Sequence, residues 1–386
     1  MVKPTLTRFL LCFCAVLFYT PQAESQEILN NVSDDINITI GSDLPPEMDH
    51  SWIRLISRVQ RLYTTAGDPF DPIYLVNPGG GFDGVGNIFL TTTSNTQDRC
   101  TASLLHSGRH ILTAAHCLTN NLGVISVTDV EARFDLLSGT VSYNIPIDNI
   151  AIAPGWDGNL VNGNDLAILT LEEIASPEIN RYDLYNQSDE IGQIGTKVGY
   201  GGSGTGNQGE VLPVGTKRTG ENLYDADGSL RSAIFGGATT TILGYDFDNG
   251  LPENDAFGFF FDIDNLGLGN LEVAAARGDS GSPSFINGQI AGVTSFRETI
   301  FAVDEEGFLV TPDVNFALDS SFGEFIYETR ISAQTEWINR EINKTPEPNT
   351  IIGFLGAIAS RQIWLLGKGL LSKVLNRAGK SPHWSQ

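Results

Sequence analysis

At 386 residues the chain is long enough for one large or two modest domains, and its 41% apolar content excludes an intrinsically disordered protein. The formal net charge of -23 is unevenly spread: from Lys344 onward there are six basic residues and one acid, +5, which leaves -28 on the first 343 residues. So acidic a body excludes nucleic acid as the expected ligand, because phosphate binding needs clustered positive charge, and it fits solubility outside the cell.

The amino end has the pattern of a secretory signal. Lys3 and Arg8 supply positive charge, Phe9 to Tyr19 is an unbroken run of eleven apolar residues, and Ala23 is a small residue for cleavage. Eleven residues are too few to span a bilayer. Residues 1–23 are therefore expected to be removed on export, with the mature protein secreted or at the cell surface. Cys12 and Cys14 leave with that segment, so Cys100 and Cys117 remain as a pair in an oxidising compartment, and one disulfide is inferred. Residues 24–70, acid-rich and carrying Pro45-Pro46, read as a leader or propeptide. Within it Trp52, Ile53, Leu55, Ile56, Val59 and Leu62 recur at helical spacing, which predicts an amphipathic helix over 51–63.

From about Asp71 to Lys344 the pattern changes to short apolar runs such as Ile88-Phe89-Leu90, Leu166 to Leu171 and Thr239 to Leu243, separated by glycine-rich breaks. This predicts an all-β body. The clearest hairpin is Ser284 to Ser295, with Asn287-Gly288 at its turn. Trp337, Ile338 and Ile342 in Ser332 to Asn343 suit one face of a terminal helix. Thr345-Pro346-Glu347-Pro348 ends it, and the apolar run Ile351 to Ala359 with basic Arg361, Lys368, Lys373, Arg377 and Lys380 forms a separate module, residues 345–386.

Acyl transfer by a serine needs a hydroxyl nucleophile, an imidazole to take its proton, and a buried carboxylate that fixes the imidazole tautomer. Gly278-Asp279-Ser280-Gly281-Ser282-Pro283 surrounds one serine with residues that permit a tight backbone path. Such a path can aim the N–H groups of Gly278 and Ser280 into one space, as an oxyanion hole requires. His116 ends an apolar run, Ile111 to Ala115, and its neighbour Cys117 can be anchored to Cys100. His50 and His383 lie in the leader and tail, and His106 and His110 lack this setting. Asp165 stands at the entrance to the apolar strand Leu166 to Leu171, where an unpaired carboxylate would be costly and so implies a partner.

Cys100 to Leu105, Leu112 to Cys117, Asp165 to Leu169 and Gly278 to Pro283 resemble, in order, the four signature stretches of the chymotrypsin/trypsin family of serine proteases. Val198-Gly199-Tyr200-Gly201 and Val293-Thr294-Ser295-Phe296 are similar to two further strands of that family, so the likeness covers about Phe82 to Asn343. The chain order His, Asp, Ser also separates it from subtilisin-like enzymes and α/β-hydrolases. The resemblance implies two orthogonal six-stranded antiparallel β-barrels with a C-terminal helix, spanning residues 71–344. It implies a catalytic triad of His116, Asp165 and Ser280 acting on protein or peptide substrates, with Ala274, Ser295, Phe296 and Arg297 about the specificity pocket.

Ala274 stands where tryptic members carry an Asp, so cleavage after Lys or Arg is not the expected activity, and Arg297 replaces a pocket-wall Gly, which narrows the pocket or favours an acidic side chain. Family zymogens release an amino terminus that pairs with the Asp before the nucleophile, here Asp279, but no basic residue precedes Leu75 near the expected cut. Asp279 therefore needs another partner. No cofactor is expected, calcium being the one ion that the acid-rich loop Asp246-Phe247-Asp248-Asn249-Gly250, with Asp262 and Asp264, could take; a solvated turn is the preferred reading of that loop. The competing function is a catalytically weak homologue serving as an extracellular matrix or calcium-binding module. Residues 345–386 resemble the bacterial PEP-CTERM sorting signal, which implies trimming by a membrane exosortase, although Arg361 interrupts the apolar run. The alternative for Ile351 to Arg377 is a basic amphipathic helix lying on an anionic membrane.

Overall fold

The computed structural model describes residues 37–40, 52–60 and 64–344, so the expected signal segment and the tail lie outside the described residues. The chain divides into two units, residues 1–338 and 339–386, and every described strand belongs to the first. The strands, in chain order, begin with β1 (Asn37–Ile40), β2 (Trp52–Gln60), β3 (Thr64–Thr65), β4 (Val85–Thr92), β5 (Gln97–Leu104), β6 (His110–Thr113), β7 (Val127–Leu136), β8 (Gly139–Asn144), β9 (Ile150–Ile152) and β10 (Ala167–Thr170). They continue with β11 (Ile194–Gly199), β12 (Arg218–Leu223), β13 (Ala226–Asp227), β14 (Ile242–Asp246), β15 (Val273–Ala274), β16 (Pro283–Ile286), β17 (Gln289–Asp304), β18 (Leu309–Val310) and β19 (Phe325–Arg330). The described helices are α1 (Ser229–Phe235), α2 (Ala256–Phe261) and α3 (Thr335–Ile342), the last being the predicted terminal helix, which buries Trp337 and Ile338.

Seven strands make the first sheet in the order β8-β7-β4-β5-β6-β10-β9, every pair antiparallel. Its strands follow from period-2 patterning: in β7, Val130, Ala132, Phe134 and Leu136 are buried while the residues between them are partly open. The second sheet runs β12-β11-β16-β17-β19-β14-β13, with β2 and β18 pairing β17 and β1 pairing β2, ten strands in all. The predicted hairpin is β16 and β17, and Asn287 and Gly288 at its tip have φ of 52° and 78°, the left-handed pair that a two-residue turn demands. A mostly β body with two large antiparallel sheets and a terminal helix agrees with the chymotrypsin-like architecture expected from sequence. The sheets carry seven and ten strands, the second being widened by β1 and β2.

Those added strands correct the sequence reading of 51–63, which is not an amphipathic helix but contains the strand β2, paired with β17 from Arg297↔Gln60 to Asp304↔Trp52. The apolar residues suited either period. Leu55, Ser57 and Val59 are buried while Ile56, Arg58 and Gln60 are half-buried, an alternation that only a strand gives. The polar member of the buried row, Ser57, donates a hydrogen bond to Glu298 on the facing strand. A long unpaired edge on β17 decided the outcome, and no local pattern announces such an edge.

Candidate active site

Strand pairing brings the histidine to the aspartate. β10 lies antiparallel to β6 with Ala167 opposite Thr113, and continuing that register sets Asp165 beside the short 3-10 turn Ala115–Cys117 that carries His116. Asp165 is fully buried and accepts on both oxygens: Oδ1 from the His116 backbone N–H at 2.8 Å, and Oδ2 from His116 Nδ1 at 2.6 Å and from the Ser295 hydroxyl at 2.6 Å. The Thr329 hydroxyl donates to the Asp165 carbonyl at 3.0 Å. Burial alone would raise the Asp165 pKa, but the His116 charge and the hydrogen bonds from His116 and Ser295 outweigh it and hold the carboxyl below its ordinary range. A carboxylate can only accept, so Nδ1 carries a proton and donates it to Asp165, which leaves the other ring nitrogen, Nε2. That atom is buried and has no hydrogen-bond partner among the described residues.

The disulfide Cys100–Cys117 forms as inferred, with Cα atoms 6.3 Å apart, and fixes the turn carrying His116 to β5. The same cysteine meets the serine loop, Cys117 Sγ lying 3.7 Å from the Ser280 carbonyl oxygen. Next to Cys100, Thr101 holds that loop at two points: its N–H donates to the Ser280 carbonyl at 2.9 Å and its hydroxyl to the Gly278 carbonyl at 2.9 Å. It also accepts from Tyr200 N–H at 3.1 Å, so the Gly-Tyr-Gly segment after β11 joins the same post. The loop is a chain of tight turns, Asp279 N–H to Ala276 O at 3.0 Å and Ser282 N–H to Asp279 O at 2.7 Å. Gly281 has φ of 82°, and a Cβ there would come within 2.2 Å of the Thr113 hydroxyl, so both conformation and space require glycine. Neither the Gly278 nor the Ser280 amide donates a backbone hydrogen bond among the described residues.

The residues expected about a specificity pocket are dispersed in role. Ala274 is fully buried in β15, opposite Thr64 of β3. Ser295 is spent on Asp165, and Phe296 is a core residue stacked on Tyr327 at 4.8 Å. Arg297 is buried: its guanidinium donates to Gln60 Oε1 at 2.9 Å, to Leu318 O at 2.6 Å and to the Ser320 hydroxyl, with Glu324 3.8 Å away. Ser320 in turn donates to Ala275 O at 2.6 Å, which links Arg297 to the segment after Ala274.

The partner that Asp279 needed is found in the backbone. Its carboxylate accepts from Gly201 N–H at 2.8 Å and Ala276 N–H at 3.2 Å, and Arg218 shares a small cavity with it, lined also by Thr64, Thr65, Gly199 and Gly201. Burial nonetheless pushes its pKa well up. Sequence reasoning missed Thr101 and Thr329, which resemble any strand threonine.

Residues 84–243 match the family model described as Trypsin, a span that contains His116 and Asp165 and stops short of Ser280. No curated protein matches the chain. Among solved structures, the chain is similar to neuropsin, a serine protease expressed in the limbic system of mouse brain, at 16% identity over 70% of this chain and 98% of that one, with a TM-score of 0.47.

Proposed function

We propose that this chain is a secreted serine endopeptidase that cleaves peptide bonds through an acyl-enzyme. The observation that carries the reading is the buried His116–Asp165 pair with an unengaged Nε2, tied through Cys117 and Thr101 to the loop bearing Ser280. In this reading His116 Nε2 takes the Ser280 proton as the hydroxyl attacks the scissile carbonyl, and returns it to the leaving amine. Asp165 keeps Nδ1–H in place and stabilises the imidazolium, while the amides of Gly278 and Ser280 receive the oxyanion. The match to the Trypsin model over 84–243 supports the serine-protease reading.

Specificity is read as non-tryptic. Ala274 offers no counter-ion to a Lys or Arg side chain, and the buried Arg297 guanidinium is already engaged by Gln60, Leu318 and Ser320. Residues 1–23 are read as an export signal and 345–386 as a sorting or membrane-contacting tail; no helix among the described residues is long and apolar enough to cross a membrane.

Labelling with a fluorophosphonate tests the assignment. The wild-type chain is expected to be labelled stoichiometrically and Ser280→Ala not at all. Peptide hydrolysis by Ser280→Ala should fall by several orders of magnitude, the loss known for removal of a triad member in this chemistry. Labelling that persists in Ser280→Ala would rule the assignment out, and a panel of fluorogenic peptides showing strong preference for Lys or Arg would overturn the specificity.

A further inference from the structure

Away from the triad, the second sheet encloses a group of acids. β14 ends at Asp246, Asp248 follows two residues later, and Asp255 caps α2; each of the three is at most 2% exposed. Each offers a carboxylate oxygen to a common point, these atoms lying within 4.8 Å of one another. Two oxygens bound to one calcium ion at 2.3–2.6 Å are at most about 5 Å apart, so the spacing is that of a shared coordination shell.

Hydrogen bonding around the group is incomplete on one side only. Asp255 is occupied by Gly258 N–H at 2.6 Å and Asn265 N–H at 3.1 Å. Asp246 Oδ2 accepts from Phe257 N–H at 2.7 Å, but its Oδ1 has no partner, and Asp248 has none for either oxygen. Asp225 stands beside them, accepting from Asn265 Nδ2 at 2.9 Å and close enough to Asp246 for the two side chains to hydrogen-bond. No basic side chain of the described residues forms an ion pair with Asp246, Asp248 or Asp255. A buried carboxylate without donors is among the costliest groups a fold can hold, and here several such oxygens share one neighbourhood.

We propose that Asp246, Asp248 and Asp255 bind a divalent cation, with Asp225 beside them, and that the cation is calcium. The donors are hard oxygens without a thiol or imidazole, which excludes the softer metals. Three carboxylates supply up to six oxygens in a dry setting, which suits calcium better than magnesium with its retained waters. Asp262 and Asp264, grouped with this loop on sequence alone, are exposed and belong to no such group. The ion joins the end of β14 to the start of α2. Glu272 Oε1 accepts the Asp248 N–H at 2.8 Å and immediately precedes β15, so the site also braces the stretch running toward Ser280.

The competing arrangement is an ion-free group kept neutral by protons, for burial and the neighbouring acids push Asp248 up to about 12 when no cation is present. Calorimetric titration of the chelator-stripped full chain at neutral pH separates the two, with thermal melts in calcium, magnesium and chelator alongside. One calcium per chain with a sub-millimolar Kd is expected, and a Tm higher by about 5 °C or more at a hundred-fold excess over Kd. Magnesium should give less than half that shift. Asp248→Asn should weaken binding by about tenfold or more, while Asp262→Asn binds as wild type. Absence of saturable calcium binding to the wild-type chain overturns the proposal, as does unaltered binding by Asp248→Asn. The wild-type titration decides alone if that variant does not fold.

Discussion

Thr101 shows how much of a site can rest on one unremarked side chain. Its amide and hydroxyl hold the carbonyls of Ser280 and Gly278, and its carbonyl accepts from the Thr113 hydroxyl at 2.9 Å, two residues before the turn that carries His116. Valine at this position keeps the shape and the amide but loses the hydroxyl, leaving two buried groups unpaired at a cost of about 1–3 kcal/mol each. Thr101→Val is therefore expected to lower kcat/KM by about tenfold to a hundredfold, since small displacements at a reacting centre are expensive. Steady-state kinetics with a fluorogenic peptide checks this, and an unchanged kcat/KM would show that the loop is held by other means. The contact of Asp165 with His116 and the Cys100–Cys117 bond were legible in the sequence, because an aspartate at the mouth of a buried strand demands a partner and the expected export leaves one cysteine pair; the role of Ser280 belongs to the proposed chemistry. Thr101 and the Ser295 hydroxyl on Asp165 were not legible, because a β-branched or small residue on a strand has the same appearance whether or not its hydroxyl spans two sheets.

At the level of elements, the sequence revealed what local periodicity controls: the hairpin at Asn287-Gly288, the terminal helix and the alternation in β7. It misled where a distant partner chose between two allowed periods, as in β2. That strand contributes Leu55 and Val59 to the principal core alongside Ile300 and Phe296. Segment 24–70 reads as a leader, yet its strands β1 and β2 are built into the second sheet, which makes its stability contribution measurable. Truncating the fully buried Leu55 to alanine is expected to cost about 2–5 kcal/mol, seen as a lower midpoint in urea unfolding. A midpoint equal to that of the wild type would mean that the folded core does without this strand.

Over the whole molecule, the -23 charge suggested a solvated acidic surface, but charge is also carried inside. Lys197–Glu328, Arg231–Glu298 and Arg330–Glu190 are buried ion pairs of the second sheet, α1 and the flanking loops, and Arg297 lies 3.8 Å from the buried Glu324. Their partners lie far apart in sequence, so composition could not pair them. Glu324 accepts three backbone N–H groups on Oε1, yet burial pushes its pKa up to about 8, Arg297 opposing and Asp313 adding to the rise. A carboxyl raised in this way favours the folded state while protonated: its contribution is complete below about pH 4.5 and is lost as the pH climbs through about 8. Glu324→Gln should thus flatten the decline in urea midpoint between about pH 5 and 9 in calcium-replete buffer, and a slope identical to the wild type would refute the argument. β17 carries a last consequence. β19 pairs it only as far as Glu298 and β18 takes up at Ala302, so Thr299, Ile300 and Phe301 depend on β2 alone for their ladder. Shedding β2 would strip this rim bare, and a second copy of the chain offering its own rim could anneal there, so that proteolytic trimming in the wrong place would yield aggregates.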